Sequence, residues 1–512
     1  MIENDILLTF ANSLFVILST CFILTMYLSW NDNYWLKKKI PFVEPSKIFG
    51  NIKDVILMKR TIGEVYQQIY RKLGDKPLGG FFKLRQPILM VKHPELIKIV
   101  LKDKFDCFQA NDIHVRRDTN PILKMNPLLA SGATWKTMKS TFTPIEDYKT
   151  LEGMVDSMKT ISGQMNEFIK DYGILSVECK NLAGKYISDV IASCALGMET
   201  NSFKEPNSEF RKMSDRLFLK TNVKSNIALL LALYAPDLAN WFRYRIVPSE
   251  VSKYFIGLLS DICKYRVKEN VTGNDFLQLL INVNKESEAD GEGTVYNYDK
   301  ITGLCMTVFI DGYMMTMNPL SYLLHDIALN EDVQEKIVEE MKSLEINTIN
   351  DIDLNKIQKM TYLDMVLSES LRLHPPVQAV TRICTKKTTL TFDQHEYNVG
   401  VGTPITVPIY ALHMDPKYYE NPTEFIPERF TAEAKAQRNE FVYLPYGKGP
   451  RACPGAKFAD LILKVAVISI LTKFKMRLRD PLRTLKQDPR SSLINSAKGE
   501  LMIHFVDTTT DH

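Results

Sequence analysis

One decapeptide near the C-terminal end constrains this chain more than any other stretch: Tyr446-Gly447-Lys448-Gly449-Pro450-Arg451-Ala452-Cys453-Pro454-Gly455. Gly447, Gly449 and Gly455 let the backbone turn where a Cβ would clash and approach a flat ligand closely. A helix-like run follows at once, from Ala456 to about Thr472. Such a helix aims its N-terminal N–H groups and positive dipole end back at the sulfur, which favours the metal-binding thiolate over the thiol. Pro454 has no N–H, so donors to the sulfur are expected from Gly455 and Ala456. Arg451 is placed to offer a cation to a carboxylate of the same ligand. A lone cysteine beside glycines is more often a structural residue, and only the full run raises it above that. The other cysteines, at 21, 107, 179, 194, 263, 305 and 384, form no C-x-x-C pair and match neither a zinc site nor a disulfide scaffold. They read as small buried hydrophobes in a reducing compartment.

At the other end, the run Ile6–Ser29 carries no charge and is rich in Leu, Ile, Phe and Val. As a helix it is long enough to cross a bilayer core. Glu3 and Asp5 precede it and Lys37, Lys38 and Lys39 follow, so the positive-inside bias puts the rest of the chain in the cytosol. A cleaved signal peptide would want a basic start and a shorter apolar core. The formal net charge of +4, with its Lys and Arg residues scattered, gives no sign of a nucleic-acid partner. It fits a protein resting on an anionic membrane. A second apolar stretch, Ile227–Tyr234, ends at Pro236 and is followed by Trp241, Phe242, Arg243 and Arg245. It reads equally as a core helix or as a segment dipping into the membrane interface.

Between these ends helical periodicity dominates, with helices expected around Val155–Phe168, Ser188–Leu196, Tyr254–Val267, Ile301–Leu329 and Leu363–Leu373. Short strands are expected at Gly80–Leu84, Ile88–Lys92, Thr388–Phe392 and Leu501–Phe505. There is no βαβ alternation and no strand leading into a G-x-G-x-x-G turn, which argues against a dinucleotide fold. The fold class read from this pattern is mainly α with small β-sheets.

The cysteine loop resembles the haem-binding loop of the cytochrome P-450 family, F-x-x-G-x-R-x-C-x-G, with Tyr446 where Phe is usual. Other elements resemble the same family in order. Trp135 and Lys139 resemble W-x-x-x-R, and Glu369 with Arg372 resembles E-x-x-R. Pro427-Glu428-Arg429-Phe430 resembles P-E-R-F, and Asp189–Gly197 and Ala328–Lys336 look like animal microsomal, insect-type members. The resemblance implies heme b (iron protoporphyrin IX) as cofactor, with Cys453 as its iron ligand. It implies propionate contacts from Trp135, Lys139, Arg382 and Arg451, and a buried network of Glu369, Arg372 and Arg429 behind the loop. It divides the chain into a membrane anchor (1–30), a basic, proline-containing linker (31–51) and a haem-binding catalytic domain (52–512).

One element departs from the family. The helix expected above the haem normally reads A-G-x-(D/E)-T, the acid and threonine handling protons for bound oxygen. Here it reads Phe309-Ile310-Asp311-Gly312-Tyr313-Met314-Met315-Thr316. Gly312 keeps room for oxygen, but Met314 and Met315 replace the acid and hydroxyl, and a thioether donates no proton. Three accounts stay open: Asp311 and Thr316 take over, substrate hydroxyls or ordered water supply protons, or dioxygen is no longer activated. The family implies a monooxygenase that inserts one oxygen atom into a lipophilic small molecule (xenobiotic, steroid, fatty acid or hormone precursor). Its electrons would come from NADPH through a flavoprotein reductase, with cytochrome b5 as a further partner, at the endoplasmic reticulum membrane and facing the cytosol. The alternatives are a haem-thiolate isomerase or peroxide-using enzyme, and a haem protein that only binds a hydrophobic ligand.

Overall fold

The computed structural model describes residues 2–508 apart from 30, 32, 114, 116–119, 124, 173–175, 219–229, 235–240, 242, 244, 290–294 and 492–493. The side chains of 2–11, 24, 27–29 and 218 also lie outside the description. The helices that matter for function are α1 (Ile2–Ser29), α2 (Gly132–Phe142), α3 (Tyr148–Tyr172), α4 (Cys179–Ile191), α5 (Ser249–Glu269), α6 (Tyr298–Leu329), α7 (Thr361–Leu373) and α8 (Ala456–Leu471). Each of the five helices expected from periodicity falls on one of these. Of the second, Ser188–Leu196, only 188–191 lie in α4; 192–196 leave α-geometry for a wider turn that Gly197 closes in the left-handed region, at φ 63°.

Burial explains the helices. Leu151, Met154, Val155, Met158, Ile161, Met165 and Ile169 recur at three and four along α3 and form one buried face. By contrast α6 is buried through most of its 32 residues and runs through the largest core cluster with α3, α4, α5, α7 and α8 around it. Asn297 starts it by accepting a hydrogen bond from the Lys300 N–H at 2.9 Å. Pro319 lies inside it and has no N–H to give the carbonyl of Met315, four residues back. Where α6 crosses α4, each helix offers a glycine. A Cβ on Gly312 would stand 2.9 Å from Ile191 Cδ1, and one on Gly184 3.1 Å from the Tyr313 hydroxyl.

Strands are few and short. A four-stranded sheet has the order β1 (Leu78–Lys83), β2 (Gln86–Val91), β7 (Pro404–Val407), β4 (Val380–Ile383), with β2 and β7 parallel and the other pairs antiparallel. A second sheet has the order β3 (Val177–Glu178), β9 (Met502–Asp507), β8 (Phe474–Leu478), and β5 (Thr388–Phe392) pairs with β6 (His395–Val399). The four expected strands are present. The sequence reading passed over β3, β4, β6, β7 and β8; of these β3, β4 and β7 have only two to four residues, too few to show a period.

Two N-terminal expectations meet a different outcome. The segment expected as a linker, 31–51, packs on the four-stranded sheet: Trp35 is fully buried, its Nε1–H donates to the Phe81 carbonyl at 3.2 Å, and Ile40 and Val43 join the same core. The expected N-terminal helix forms as α1. Among the described residues, however, no helix is long and apolar enough to cross a membrane. Within α1, Leu14, Phe15, Val16, Ile17, Leu18, Phe22, Ile23 and Met26 are exposed, while the Thr20 and Thr25 hydroxyls bond back to the Val16 and Cys21 carbonyls. Of the second apolar stretch, 230–234 is helical; Ile227 to Leu229, Pro236 and Phe242 lie outside the described residues, and Trp241 is exposed.

Candidate active site

The cysteine loop bends where its glycines allow. Gly447 and Gly449 stand at φ 67° and 78°, and a Cβ on Gly449 would strike the Leu101 carbonyl. Gly455 is different: its φ of −119° suits any residue, and nothing crowds its missing Cβ. The turn is held by the Cys453 N–H on the Tyr446 carbonyl at 2.9 Å and the Ala452 N–H on Gly449 at 3.0 Å.

Cys453 has accessible area, yet protein surrounds it closely enough for burial to push its thiol up to about 11. These facts agree if the sulfur looks into a space walled by protein instead of bulk water. The Gly455 N–H works in the other direction and stabilises the thiolate. Of the two expected donors only Gly455 serves. The Ala456 N–H is taken at 3.1 Å by the carboxylate of Glu146, which no sequence signal pointed to. On the same side the hydroxyl of Tyr446 bonds to Asp460, whose carboxyl burial pushes up to about 6.

The cations expected around the loop converge. Arg451 donates to the carbonyls of Pro127 (3.2 Å) and Ala130 (2.5 Å) and lies 4.7 Å from the Trp135 ring centroid. Lys139 stands 5.8 Å from the same ring. Arg382, on β4, is 5% exposed and donates to Asn111 Oδ1 at 2.7 Å and to its neighbour's carbonyl, Thr381, at 2.8 Å. Burial lowers Arg382 to about 9, helped by the charge of Arg451. Burial alone lowers Arg451 to about 10. Both keep an Nε–H without an acceptor, and among the described residues no ion pair joins a carboxylate to either.

Across from the loop, one half-accessible face of α6 carries Asp311, Gly312, Met314 and Met315. Thr316 is 2% exposed and shares the buried face with Tyr313, so it is not brought together with Asp311. The missing side chain of Gly312 faces Ile191 of α4. Burial pushes the Asp311 carboxyl up to about 7, against the Asn126 amide, which straddles it at 3.1 and 3.0 Å. A carboxyl raised in the fold binds its proton more tightly there than in the unfolded chain. Its contribution to stability therefore falls as pH rises from about 4 to about 7. Asp311→Asn is expected to unfold less readily than the parent at pH 8, by about 2 kcal/mol after allowing for partial solvent access, and equally at pH 4. Denaturant titrations at both pH values check this; an equal gain at both would contradict it.

Behind the loop lies a fully buried ion pair. Arg372 donates from Nε and Nη2 to the two oxygens of Glu369 at 2.7 and 2.8 Å, and both side chains are 0% exposed. Arg372 also holds the carbonyls of His413, Pro422 and Glu424, and Arg429 Nε lies 3.3 Å from Glu369. His413, which the sequence did not single out, ties this group to the loop. Its Nδ1–H faces the Arg372 carbonyl at 3.1 Å, and Nε2 accepts the Leu444 N–H at 2.9 Å. A carbonyl can only accept and an amide only donate, so the tautomer is fixed. Burial and the neighbouring guanidinium of Arg372 lower this imidazole to about 3 and keep it neutral. The Gly447 N–H then closes on the Leu444 carbonyl at 3.0 Å.

The sequence matches the Cytochrome P450 family model over residues 40–503. The chain belongs to the cytochrome P450 family. This P450 is 31% identical to cytochrome P450 9e2 of Blattella germanica over 93% of both chains. It is 30% identical to the probable cytochrome P450 9f2 of Drosophila melanogaster over 87% of this chain and 90% of that one. With the probable cytochrome P450 6a20 of the same fly it shares 28% identity over 88% and 90%. It is an oxidoreductase of the monooxygenase type whose cofactor is heme b, and P450s in general draw on redox partners and act on hydrophobic substrates. The residues present fit that cofactor. A buried and a half-buried guanidinium, Arg382 and Arg451, with unused donors and, among the described residues, no carboxylate paired to either, suit a group that brings its own two carboxylates.

Proposed function

We propose that this P450 binds its haem through the Cys453 thiolate and oxygenates a lipophilic small molecule. The electrons come from NADPH through a flavoprotein reductase, with cytochrome b5 as an accessory donor. The observation that carries the site is the arginine pair, Arg382 and Arg451, beside a loop whose cysteine is accessible although protein surrounds it closely. In this reading Arg382, Arg451, Trp135 and Lys139 hold the propionates. Gly447 and Gly449 shape the cysteine loop, and the Gly455 N–H favours the thiolate. The haem supplies dioxygen activation. Asp311 would take up and release the protons that oxygenation needs, supported by a carboxyl poised near neutrality on the half-accessible face of α6. Thr316 supports that helix from its buried side.

The full-length protein reconstituted with a flavoprotein reductase tests the reading. Members of a lipophilic panel (a steroid, a fatty acid, an aromatic ether) should stimulate NADPH consumption and yield a product heavier by one oxygen. Turnover of an organic hydroperoxide without reductase, and none with NADPH, would favour the peroxide-using alternative. The observation behind that alternative is Met314 and Met315 on the accessible face where an acid and a hydroxyl are usual. Met315→Thr restores the hydroxyl and is expected to raise product per NADPH two- to tenfold, about what one added hydrogen bond can supply. No gain, or a loss, would count against a proton relay left leaky by Met314 and Met315.

We also propose that α1 anchors the protein in the endoplasmic reticulum membrane with the haem domain in the cytosol. The uncharged run Ile6–Ser29, the apolar side chains exposed along α1, its internally bonded hydroxyls and Lys37–Lys39 beyond it support this. Deleting residues 1–30 should move most of the protein from carbonate-washed membranes to the soluble fraction. Retention of the deleted form in those membranes would count against α1 as the anchor.

A further inference from the structure

We infer that Asn126 is a positioning residue for Asp311, and that the turn Asn126–Ala130 links the arginine pair of the haem site to this carboxylate on α6. The inference rests on Asp311 being the proton carrier proposed above, and it names what aims it.

The geometry runs in one connected path. Asn126 donates from Nδ2 to both oxygens of Asp311, 185 residues away in sequence. Its own Oδ1 accepts the Leu128 N–H at 2.8 Å, which pins the side chain to the start of the turn. The carbonyls of that turn are taken from the haem side. Arg451 holds Pro127 and Ala130, and Asn111 donates to Leu128 at 3.0 Å while accepting from Arg382. Asn126 itself is only 5% exposed. Arg451 therefore grips directly, and Arg382 through Asn111, the turn that supplies the hydrogen-bond partner of Asp311 among the described residues.

The chemistry gives the amide a definite task. Asn126 can only donate through Nδ2, so it favours the charged carboxylate against the burial that favours the neutral acid. A carboxyl held between these opposing effects can both take and release a proton. The turn thus does part of the work that an acid beside a threonine does elsewhere, with the donor arriving from another element.

Asn126→Ser separates the two jobs of the side chain. Serine keeps an oxygen to cap the turn but is too short to reach Asp311. The infrared carbonyl band of protonated Asp311, identified in the ferric haem protein by its loss in Asp311→Asn, should move to higher frequency in Asn126→Ser. In the reconstituted system the share of NADPH electrons leaving as hydrogen peroxide should rise about threefold or more in Asn126→Ser and in Asp311→Asn, and no further in the double variant. Asn126→Ala provides the same two readings if the serine protein folds poorly. An unmoved band, or additive effects in the double variant, would overturn the inference. The band needs only folded ferric protein, so it still reports on Asn126 if NADPH-driven oxygenation itself is not found.

Discussion

Cys453→Ala is expected to fold and to lose the strongly red-shifted Soret band of the reduced carbon monoxide complex entirely, together with all NADPH-driven product formation. The fold should survive because the loop is closed by backbone groups that alanine retains: the Cys453 N–H to Tyr446, Ala452 to Gly449, and Gly447 to Leu444. The spectrum should not survive, because only a thiolate ligand gives that shift. An imidazole could not substitute by a small movement. The buried histidine tied to the loop, His413, has both ring nitrogens committed to backbone groups. The measurement is a difference spectrum on membranes expressing each form, beside a haem assay. A red-shifted band of parental size in the alanine variant would remove Cys453 from the iron, and with it the monooxygenase reading of this site.

The second large effect is expected from the ion pair behind the loop. Arg372→Leu leaves Glu369 charged, fully buried and supported only by Arg429 and the Ile426 N–H. It also strips the carbonyls of His413, Pro422 and Glu424 of their donor. Stranding one member of such a pair typically costs about 3–5 kcal/mol. A domain of ordinary stability has roughly 5–15 kcal/mol in all. The variant should therefore yield little haem-loaded protein, and what accumulates should melt well below the parent. Glu369→Gln keeps an acceptor for Arg372 and should fall between the two. Normal haem content and melting in Arg372→Leu would show that the network is dispensable.

How far the sequence announced these features depended on how local each was. The cysteine loop was readable because glycine, proline and cysteine have narrow conformational or chemical uses, and most of its bonds close within ten residues. The long helices were readable from burial at three- and four-residue spacing. Strands such as Val380–Ile383 and Pro404–Val407 were not, since four residues carry too little alternation and their pairing depends on partners elsewhere in the chain. Arg382 could be singled out by resemblance, but nothing in its neighbourhood announced that it is buried on β4. Glu146, Asn126 and His413 left no signal. Each acts through a backbone group or a carboxylate far away in sequence, and single polar residues between apolar ones look alike until the fold brings them to a target. Gly455 is the opposite case: it looked like a conformational necessity, and its backbone is one that any residue adopts.

The network behind the loop also has a direction along the chain. Glu369, Arg372, His413 and Leu444 come in order, and Cys453 follows them all. Synthesis proceeds from the N-terminus, so the pair, the histidine clasp and the amide it holds have all been made before the cysteine leaves the ribosome. The reactive sulfur is thus delivered last, to a bracket whose parts already exist, which shortens the time in which it is a loose thiol on an unfinished protein.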